Sequence, residues 1–373
     1  MASMRRSRLR ALLSVGAIVS LSAIASEPAA QSPRPAHHRS HGFQNNYVDF
    51  EPKGLAALIR WRLEAAQAGL PKPPASPTPS VAPELDFLLG NAGAGRGMQP
   101  ALTWIGHATF LLQTGGLNVL TDPMFSERAS PLAFIGPKRH VRPGLALAEL
   151  PQVDVVVISH NHYDHLDAPS VRALGTQPGG SPLFLVPLGL KAWMAEQGLT
   201  HVVELDWWQE HAVGAVAFVL TPVQHWSGRT LSDRMETLWG GWTILAPDLH
   251  AFFAGDTGYS KDFADIRAHF AERQSERADG GFDIALLPIG GYEPRWFMAQ
   301  QHVDPAEAVR IHLELGAKRS IGMHWGTFQL TDEALDQPPI DLAAARRARG
   351  LPEDAFSTMA VGQTLRLARR DTR

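Results

Sequence analysis

The chain of 373 residues contains no cysteine. A chain without thiols has neither a disulfide framework nor a thiolate metal site, so any metal must be held by imidazoles and carboxylates. Beyond the first 25 residues, clusters of basic residues that form a stripe are also lacking, and the whole chain has 34 Lys+Arg against 37 Asp+Glu. A nucleic-acid backbone requires such clusters, and anionic lipid attracts them. The composition therefore argues against nucleic acid as a partner and against strong electrostatic docking on anionic lipid.

The first 25 residues have the composition of a targeting segment. Four arginines between positions 5 and 10 precede an apolar stretch, 11–24, and Ala23-Ile24-Ala25 is a small-x-small cleavage site. This pattern predicts a secretory signal peptide, 1–25, and a periplasmic protein, with Sec and twin-arginine export both open. The alternative is an uncleaved membrane anchor. Cleavage leaves 30 Lys+Arg against 37 Asp+Glu, a charge of about −7.

Three further segments follow the signal peptide. Residues 26–42 are rich in Pro, Ser, Ala and His and predict a disordered linker, in which His37, His38 and His41 are interpreted as a solvated polar tail rather than metal scavengers. Residues 43–98 predict a helical and extended segment, with a helix over 53–69 and a proline-rich connector over 71–83. Residues 99–368 predict a single α/β domain.

Within that domain, short apolar runs alternate with turn signals and helical patterns. Mixed strands with interspersed helices fit a four-layer αββα sandwich. The predicted helices cover 169–174, 188–197, 261–270 and 304–315. The predicted strands cover 102–105, 109–113, 117–121, 153–158, 183–186, 201–205, 215–221, 242–246, 251–255, 283–288, 319–323 and, as a last edge strand, 363–368.

Residues 160–165 carry the clearest chemical signal. They read His-Asn-His-Tyr-Asp-His and directly follow the apolar run 155–158. Neutral imidazoles and a carboxylate are the ligands that zinc and similar metals prefer. His225, Asp256 and His324 also end apolar runs, and active sites of open α/β sheets assemble at strand ends. Together these residues supply enough donors for two adjacent metals.

Longer motifs surround these donors. They are residues 103–110 (TWIGHATF), 120–123 (LTDP), 225–230 (HWSGRT), 255–258 (GDTG), 292–298 (YEPRWFM), 301–305 (QHVDP) and 324–327 (HWGT). With His-x-His-x-Asp-His, the set resembles the metallo-β-lactamase superfamily, and within it the N-acylphosphatidylethanolamine-hydrolysing phospholipase D family. The resemblance covers roughly residues 43–368.

The resemblance implies a two-zinc site, in which other divalent transition metals could substitute. It places His160, His162 and His225 on the first ion, and Asp164, His165 and His324 on the second, with Asp256 bridging both. Two ions sharing a water lower the pKa of that water and give a metal-bridging hydroxide as nucleophile. Asp164 and Asp256 are thus expected to be catalytic as well as metal-binding.

Three more residues receive roles from the resemblance. His302 is expected to hold the substrate phosphate or to protonate the leaving group, and Asp122 to orient a metal-bound histidine. Asp122 could equally be a turn-capping residue before Pro123. His107 is a further expected support of the ligands. Ser159 is interpreted only as a strand-end residue.

The function that these expectations imply is hydrolysis of N-acylated phosphatidylethanolamine to phosphatidic acid and N-acylethanolamine. The alternatives are a metallo-hydrolase of another ester, such as a lactone or a non-lipid phosphodiester, and a catalytically idle metal-binding envelope protein. The expected partners are a phospholipid or other phosphodiester substrate and a membrane surface, and a homo-oligomer is left open. Residues 131–135 and 296–298 are candidates for an acyl-chain entrance, although such apolar runs more often belong to a core, as does Trp207-Trp208.

Overall fold

Within residues 34–230, 232–275 and 280–370, which a computed structural model describes, fourteen strands form two mixed sheets of seven. The first sheet has the order β14-β1-β2-β3-β4-β5-β6, and the second has the order β13-β12-β11-β10-β9-β8-β7. The strands are β1 Ala101–Gly106, β2 Thr109–Thr114, β3 Leu117–Thr121, β4 Val155–Val157, β5 Leu183–Pro187, β6 Val202–Leu205, β7 Glu210–Val213, β8 Val216–Thr221, β9 Gly241–Ala246, β10 Leu249–Phe253, β11 Ile284–Pro288, β12 Arg319–Met323, β13 Phe356–Ser357 and β14 Thr364–Arg366.

Each sheet combines an antiparallel part with a parallel part. Strands β3 to β6 run parallel in the first sheet, and β10 to β13 run parallel in the second. Parallel strands end at the same edge of a sheet, and loops at that edge are where α/β proteins place their sites. The topology therefore gathers the loops after β3, β4, β10 and β12.

Alternating side chains of β4 show how the layers pack. Val155 and Val157 belong to the large core between the two sheets, whereas Val156 belongs to a second core on the outer face of the first sheet. This alternation is the period-2 geometry of a strand buried on both faces. Each fully buried valine contributes roughly 1.5–3 kcal/mol to folding.

Helices cover the outer faces of both sheets. Residues of α2, α3 and α4 pack on the first sheet, and residues of α5 and α8 pack on the second. The αββα sandwich predicted from the sequence is thereby confirmed. The helices are α1 Leu55–Ala68, α2 Leu85–Ala92, α3 Ala168–Gly175, α4 Lys191–Glu196, α5 Asp262–His269, α6 Ala271–Gln274, α7 Arg295–Met298, α8 Pro305–Leu315 and α9 Gln337–Ala348.

Most predicted elements occur within a few residues of their expected positions. Elements without a predicted counterpart are β7, β13, α2, α6, α7 and α9. Strand β7 is a half-exposed sheet edge, so its residues lack the apolar pattern that marks a buried strand. The two short elements β13 and α7 offer too few residues for any period.

Helix α1 departs from the usual amphipathic arrangement. Leu55, Ile59 and Leu63 are 70%, 51% and 59% exposed, whereas Trp61 and Ala65 are buried. The apolar stripe of α1 therefore faces outward. The candidate segment 131–135 is likewise on the surface rather than in a core, with Phe134 78% exposed.

The solvated-tail interpretation of His37 and His38 is wrong. Both imidazoles bond to the Asp206 carboxylate, at 2.6 and 2.7 Å, and the His37 ring stacks on buried Trp207. The Asp206 carboxylate orders this polar stretch by accepting both hydrogen bonds. The sequence gives no sign that Asp206 lies beside these histidines. His41 is exposed, as expected.

The predicted signal peptide, 1–25, and residues 26–33 of the predicted linker lie outside the described residues. The described residues from position 36 onward form one compact unit. In the part of the chain that is described, no helix is long and apolar enough to cross a membrane.

Candidate active site

The predicted donor residues all follow strand ends. Asp122 comes after β3, residues 160–165 come shortly after β4, and His225 comes four residues after β8. Asp256 follows β10, and His324 directly follows β12. Because these ends share one edge of the sandwich, side chains more than 150 positions apart in sequence converge there.

The first donor group consists of His160, His162, His225 and Asp256. His160 Nε2 lies 2.8 Å from His162 Nδ1, and His225 Nε2 lies 3.3 Å from the same Nδ1. Asp256 Oδ2 lies 3.9 Å from His160 Nε2 and 3.8 Å from His225 Nε2. Four donor atoms thus face one small volume.

The second donor group consists of Asp164, His165 and His324, together with His107, and Asp256 stands between the two groups. His165 Nε2 lies 3.4 Å from Asp164 Oδ2, and His324 Nε2 lies 3.3 Å from that same oxygen. Asp256 reaches His165 Nε2 with Oδ2 at 3.0 Å and His324 Nε2 with Oδ1 at 3.2 Å. One carboxylate therefore contacts both groups.

Hydrogen bonds on the far side of the rings fix which imidazole nitrogen faces the cluster. His225 Nδ1 lies 2.8 Å from the Gln301 carbonyl oxygen, and His324 Nδ1 lies 3.3 Å from that of Gly290. A carbonyl only accepts, so both Nδ1 atoms donate, and the Nε2 atom of each ring faces the cluster. His165 Nδ1 meets the Asp122 carboxylate at 2.7 Å with the same consequence.

The donor geometry fits divalent metal ions. Among the described residues, His165 Nε2 and Asp256 Oδ1 are buried polar atoms without a hydrogen-bond partner, and both face the space between the groups. Tetrahedral zinc bonds of about 2.0–2.1 Å place neighbouring donors roughly 3.3–3.4 Å apart. The contacts within the two groups scatter around that separation, and unpaired buried donors otherwise cost folding energy.

Burial and charge set the protonation of the site. Burial raises the pKa of Asp256, but His165 and His324 outweigh it and hold that pKa well below its usual range. Burial lowers the pKa of His162 to about 4 and that of His225 to about 3. Ionised carboxylates and neutral imidazoles are the forms that bind metal, so most of the cluster is ready for ligation at neutral pH.

Asp122 supports ligands of both groups. Its Oδ2 contacts His165 Nδ1 and accepts from Ser159 Oγ at 2.5 Å, while its Oδ1 accepts from the Ser159 backbone N–H. Ser159 Oγ in turn lies 2.8 Å from His160 Nδ1. The strand-end interpretation of Ser159 was therefore incomplete, because its hydroxyl links Asp122 to a donor of the first group.

His107, Asp122 and His324 have left-handed backbone conformations, with φ of 55°, 30° and 64°. Side chains other than glycine rarely adopt this region, and such strain concentrates at functional sites. Two contacts hold the strained turns together: His324 N–H donates to the His107 carbonyl, and His107 Nε2 lies 2.9 Å from Asp164 Oδ2. His107 thus contacts a carboxylate of the second group.

Arg229 stabilises the loop 160–165, which carries four of the donors, through contacts with its backbone and one of its rings. Its Nη1 donates to the carbonyl oxygens of Asn161 and Leu166, both at 2.8 Å, and its guanidinium lies over the rings of Tyr163 and Trp193. Two carbonyls and two aromatic faces surround a cation that cannot lose its proton readily. The loop from His160 to His165 is therefore held at both ends.

His302 lies beside the two donor groups, and its ring forms a third set of adjacent donors with Asp256 and His324. Its Nε2 lies 4.0 Å from Asp256 Oδ2, its side chain is 14% exposed, and burial lowers its pKa to about 3. Gly291 passes so close that an added Cβ would lie 3.2 Å from His302 Nδ1. The neutral ring of His302 thus stands at the open side of the donor cluster.

The cluster lies at one wall of a cavity of about 640 Å³. His162, Asp164, Asp256, His302 and His324 contribute to that wall. The remaining lining is mainly apolar, with three cationic side chains among it: Pro52, Lys53, Gly54, Leu55, Leu58, Trp61, Arg62, Ala129, Pro137, Tyr163, Trp226, Arg234, Gly291, Phe297, Met298, Gln301, Leu330 and Thr331.

Sequence reasoning missed three contributors to the site. Asn45 bonds to the backbone of His225, Gln301 offers its carbonyl to the His225 ring, and Ser159 links two donors. Carbonyl contacts leave no trace in a sequence, and Asn45 lies 180 positions from its partner. Arg229 occurs in the motif 225–230, but that motif gives no sign that the guanidinium clamps the donor loop.

Known proteins share this architecture. A family model described as β-lactamase superfamily domain matches residues 117–325. A Mycobacterium tuberculosis protein of uncharacterized role is 39% identical over 330 residues, covering 85% of this chain and 82% of that protein. The Caenorhabditis elegans N-acyl-phosphatidylethanolamine-hydrolyzing phospholipase D 1 is 40% identical over 272 residues, covering 70% of this chain and 74% of that protein.

A solved structure agrees on the fold. A possible metal-dependent hydrolase from Veillonella parvula superposes with a TM-score of 0.55 at 18% identity, covering 72% of this chain and all of that one (100%). The chain therefore belongs to the metallo-β-lactamase superfamily. It is a metal-dependent hydrolase, and its homologues include N-acyl-phosphatidylethanolamine-hydrolysing phospholipases D.

Proposed function

We propose that this protein is a zinc-dependent phosphodiesterase that hydrolyses N-acylated phosphatidylethanolamine to phosphatidic acid and N-acylethanolamine. One observation carries the proposal: two donor groups that share Asp256 line a mainly apolar cavity with cations in its wall. A phospholipid needs all three features, because its phosphate is anionic, its chains are apolar and its reacting bond must meet the nucleophile. The identity to the nematode phospholipase D adds support.

In this proposal, His160, His162 and His225 hold the first ion, and Asp164, His165 and His324 hold the second. Asp256, which contacts donors of both groups, would be shared by the two ions and would offset their mutual repulsion. Zinc is favoured because imidazole and carboxylate ligands suit it, although other divalent transition metals share that preference. Two such ions supply a water of lowered pKa and a clamp for a phosphoryl oxygen.

His302 acts on the substrate. Its Nε2 is 4.0 Å from Asp256 Oδ2, and its ring lines the cavity. A neutral imidazole there donates one hydrogen bond to a phosphate oxygen or to the oxygen of the departing N-acylethanolamine. Asp164 and Asp256 contribute to catalysis by holding the ions in position.

The cavity wall matches a charged headgroup joined to acyl chains. Lys53, Arg62 and Arg234 supply positive charge for the phosphate. Leu58, Trp61, Phe297, Met298 and Leu330 supply an apolar surface for the chains. Burial of each methylene stabilises a bound chain by roughly 0.8 kcal/mol, so a long chain gains several kcal/mol from such a wall.

The outward apolar stripe of α1 begins at the same cavity, because Leu55 belongs to the stripe and lines the cavity together with Leu58. Exposed apolar patches of this kind mark sites of contact with membranes or proteins. We infer that α1 rests on a membrane surface and that lipid enters the cavity there. The contact is apolar, in keeping with a chain of net negative charge.

Export completes the proposal. The signal peptide, 1–25, would place the mature protein in the periplasm, where envelope phospholipids are within reach. Retention of the segment as an anchor is the alternative, and both place the active site at a membrane.

The experiment uses full-length mature protein, stripped of metal and reloaded with zinc, acting on vesicles that contain N-acylated phosphatidylethanolamine. Products are identified by mass spectrometry. Asp256→Asn should bind less zinc and lower kcat together, whereas Asp354→Asn, an exposed carboxylate, should match the wild type. Turnover of a lactone but not of this lipid would favour the other-ester alternative, and full zinc content without turnover of any ester would favour an idle binding protein.

A further inference from the structure

The segment 36–50, here called the N-terminal strap, lies outside the region matched by the family model, 117–325, yet it reaches the metal-donor cluster. Its contacts alternate between the fold and the site. His37 and His38 bond to Asp206, and Phe43 N–H donates to the Met235 carbonyl. The next contact along the strap is on His225.

Asn45 makes that contact with both ends of its amide. Its Nδ2 donates to the His225 carbonyl oxygen at 2.9 Å, and its Oδ1 accepts from the His225 backbone N–H at 3.0 Å. Asn45 is 7% exposed and His225 is fully buried. The amide therefore satisfies the backbone N–H and the backbone C=O of His225, neither of which is paired within a sheet.

The backbone of His225 determines where its ring lies. His225 follows β8 by four residues, beyond the ladder that would fix its position. Its ring has polar contacts on both sides: Nδ1 with the Gln301 carbonyl, and Nε2 with His162 Nδ1 at 3.3 Å and with Asp256 Oδ2 at 3.8 Å. A shift of the backbone by a fraction of an ångström carries Nε2 out of the first donor group.

The strap is latched at its N-terminal end. His37 Nε2 and His38 Nε2 bond to different oxygens of Asp206, at 2.6 and 2.7 Å, and the His37 ring stacks on Trp207 at 4.3 Å between centroids. Further along, Gly42 has φ of 72°, and a Cβ there would lie 2.0 Å from the Met235 carbonyl oxygen. His37, His38 and Gly42 thus determine the course of the strap backbone.

We propose that Asn45 is a positioning residue for His225, and that the latch of His37 and His38 on Asp206 keeps Asn45 in place. The strap then controls the affinity of the first metal group and leaves the second largely independent. This inference rests on the two-ion site of the proposed function. It assigns a role to a segment that contains none of the metal-binding motifs.

The test measures zinc affinity rather than activity. Chelator-stripped full-length protein is titrated with Zn²⁺ against a chromophoric chelator, which yields one dissociation constant for each site. In Asn45→Ala, the constant of the first group should rise about 10- to 100-fold, the usual range for losing a partner that orients a ligand. The constant of the second group should change by less than about threefold.

Asn46→Ala is the matched control, because Asn46 is the next residue of the strap and bonds instead to Asp262, at 2.8 Å. It should leave both zinc constants unchanged. Single-site backgrounds assign the constants to the groups. In His324→Ala, where only the first group is complete, Asn45→Ala should weaken the remaining site, and in His160→Ala it should not.

A separate experiment tests the latch of His37 and His38 on Asp206. The double variant His37→Ala/His38→Ala should release zinc from the first group at least about fivefold faster, because Asn45 then leaves His225 more often. His41→Ala, an exposed histidine of the same strap, should release zinc at the wild-type rate. Equal release rates in all three proteins would overturn the latch.

The outcomes separate the inference from the proposed function. Wild-type protein with fewer than two zinc sites would overturn the two-ion premise itself. Two wild-type sites with unchanged constants in Asn45→Ala would overturn the inference alone, as would equal weakening of both sites in a protein with a native circular dichroism spectrum. If Asn45→Ala fails to fold, Asn45→Asp decides: it keeps the acceptor for the His225 N–H, and the first constant should still rise selectively.

Discussion

His302 Nε2 lies 4.0 Å from Asp256 Oδ2, the carboxylate that contacts both donor groups. The His302 ring centroid is also 5.3 Å from those of His225 and His324, one donor from each group. The His302 ring is thus as close to a ring of the first group as to a ring of the second, and it lines the cavity wall. A side chain that donates a hydrogen bond to a substrate oxygen must lie beside both donor groups and face the cavity, as His302 does.

The first prediction follows from that position. His302→Ala should leave zinc content unchanged and lower the phosphodiesterase rate by about 10²-fold or more, the usual scale for losing a positioned acid or hydrogen-bond donor. The melting temperature should barely change, since a polar side chain beside a cleft contributes little packing. Zinc content, melting temperature and rate are measured in parallel, with His201→Ala at an exposed position as the control.

Two results would contradict this role. Loss of zinc from His302→Ala would make His302 a metal ligand or the support of one. Retention of both zinc and rate would make it a bystander, and the leaving group would then be protonated by water or by another residue.

The second prediction distinguishes the contact of Asp122 with His165 from its contact with Ser159. Asp122→Asn should weaken both zinc sites about 10- to 100-fold, because Asp122 contacts His165 directly and His160 through Ser159. Ser159→Ala removes the link to His160 but keeps the direct contact of Asp122 with His165, so it should weaken the first group more than the second. Competition with a chromophoric chelator measures both constants. Stronger weakening of the second group by Ser159→Ala would show that the link does not act as described.

The sequence predicted the strand ends and the donor residues well, for a physical reason. A buried strand needs a continuous apolar run, and residues that ligate a metal must differ chemically from that run. The position of His160 after 155–158, or of His324 after β12, is therefore visible without coordinates. The ends of these strands come together when the sheets form, because parallel strands end at the same edge of a sheet.

Other features depend on contacts that no local pattern records. Asn45 and its partner are 180 residues apart, and an asparagine in a polar stretch gives no sign of its acceptor. The stripe of Leu55, Ile59 and Leu63 has helical spacing, but spacing alone does not reveal that it faces outward. His37 and His38 look like a solvated tail until Asp206 is placed beside them.

The third prediction concerns pH in the metal-free protein. Four buried imidazoles of the site have a pKa lowered to about 3 or 4, and burial holds the pKa of His160 well below its usual range. All five stay neutral in the fold, while the unfolded chain protonates them below about 6.5. Their contribution is therefore complete above pH 6.5 and is lost as pH falls, by at most about 1.4 kcal/mol per group and pH unit. Burial sets the pKa of the first four: about 3 for His107, His225 and His302, and about 4 for His162.

Two imidazoles of the site, those of His324 and His165, have a raised pKa, so their effect on stability changes with pH in the opposite direction. Burial lowers the pKa of His324, but Asp256 and Asp164 outweigh it and raise that pKa to about 9, and the pKa of His165 is raised for the same reason. Their stabilisation is present below pH 6.5 and is lost as pH rises towards 9. Urea denaturation with chelator present should give maximal stability near pH 6.5. A free energy of unfolding that rises steadily from pH 8.5 to pH 5.5 would contradict these shifts.

The fourth prediction concerns export. Cleavage after Ala25 gives a mature protein that starts at Ser26 and is found in the periplasm. Mass spectrometry of the N-terminus of protein isolated from its native cells checks both statements. Intact Met1 in a membrane fraction would instead support the uncleaved anchor.

We propose that water attacks the phosphorus of N-acylated phosphatidylethanolamine at the donor cluster. Hydrolysis of this lipid in H₂¹⁸O by the zinc-loaded protein, with mass spectrometry of both products, tests that step. We expect one ¹⁸O in phosphatidic acid, none in N-acylethanolamine, and no turnover after chelation. Label in the N-acylethanolamine, or unchanged lipid with zinc-loaded protein that turns over another ester, would contradict it.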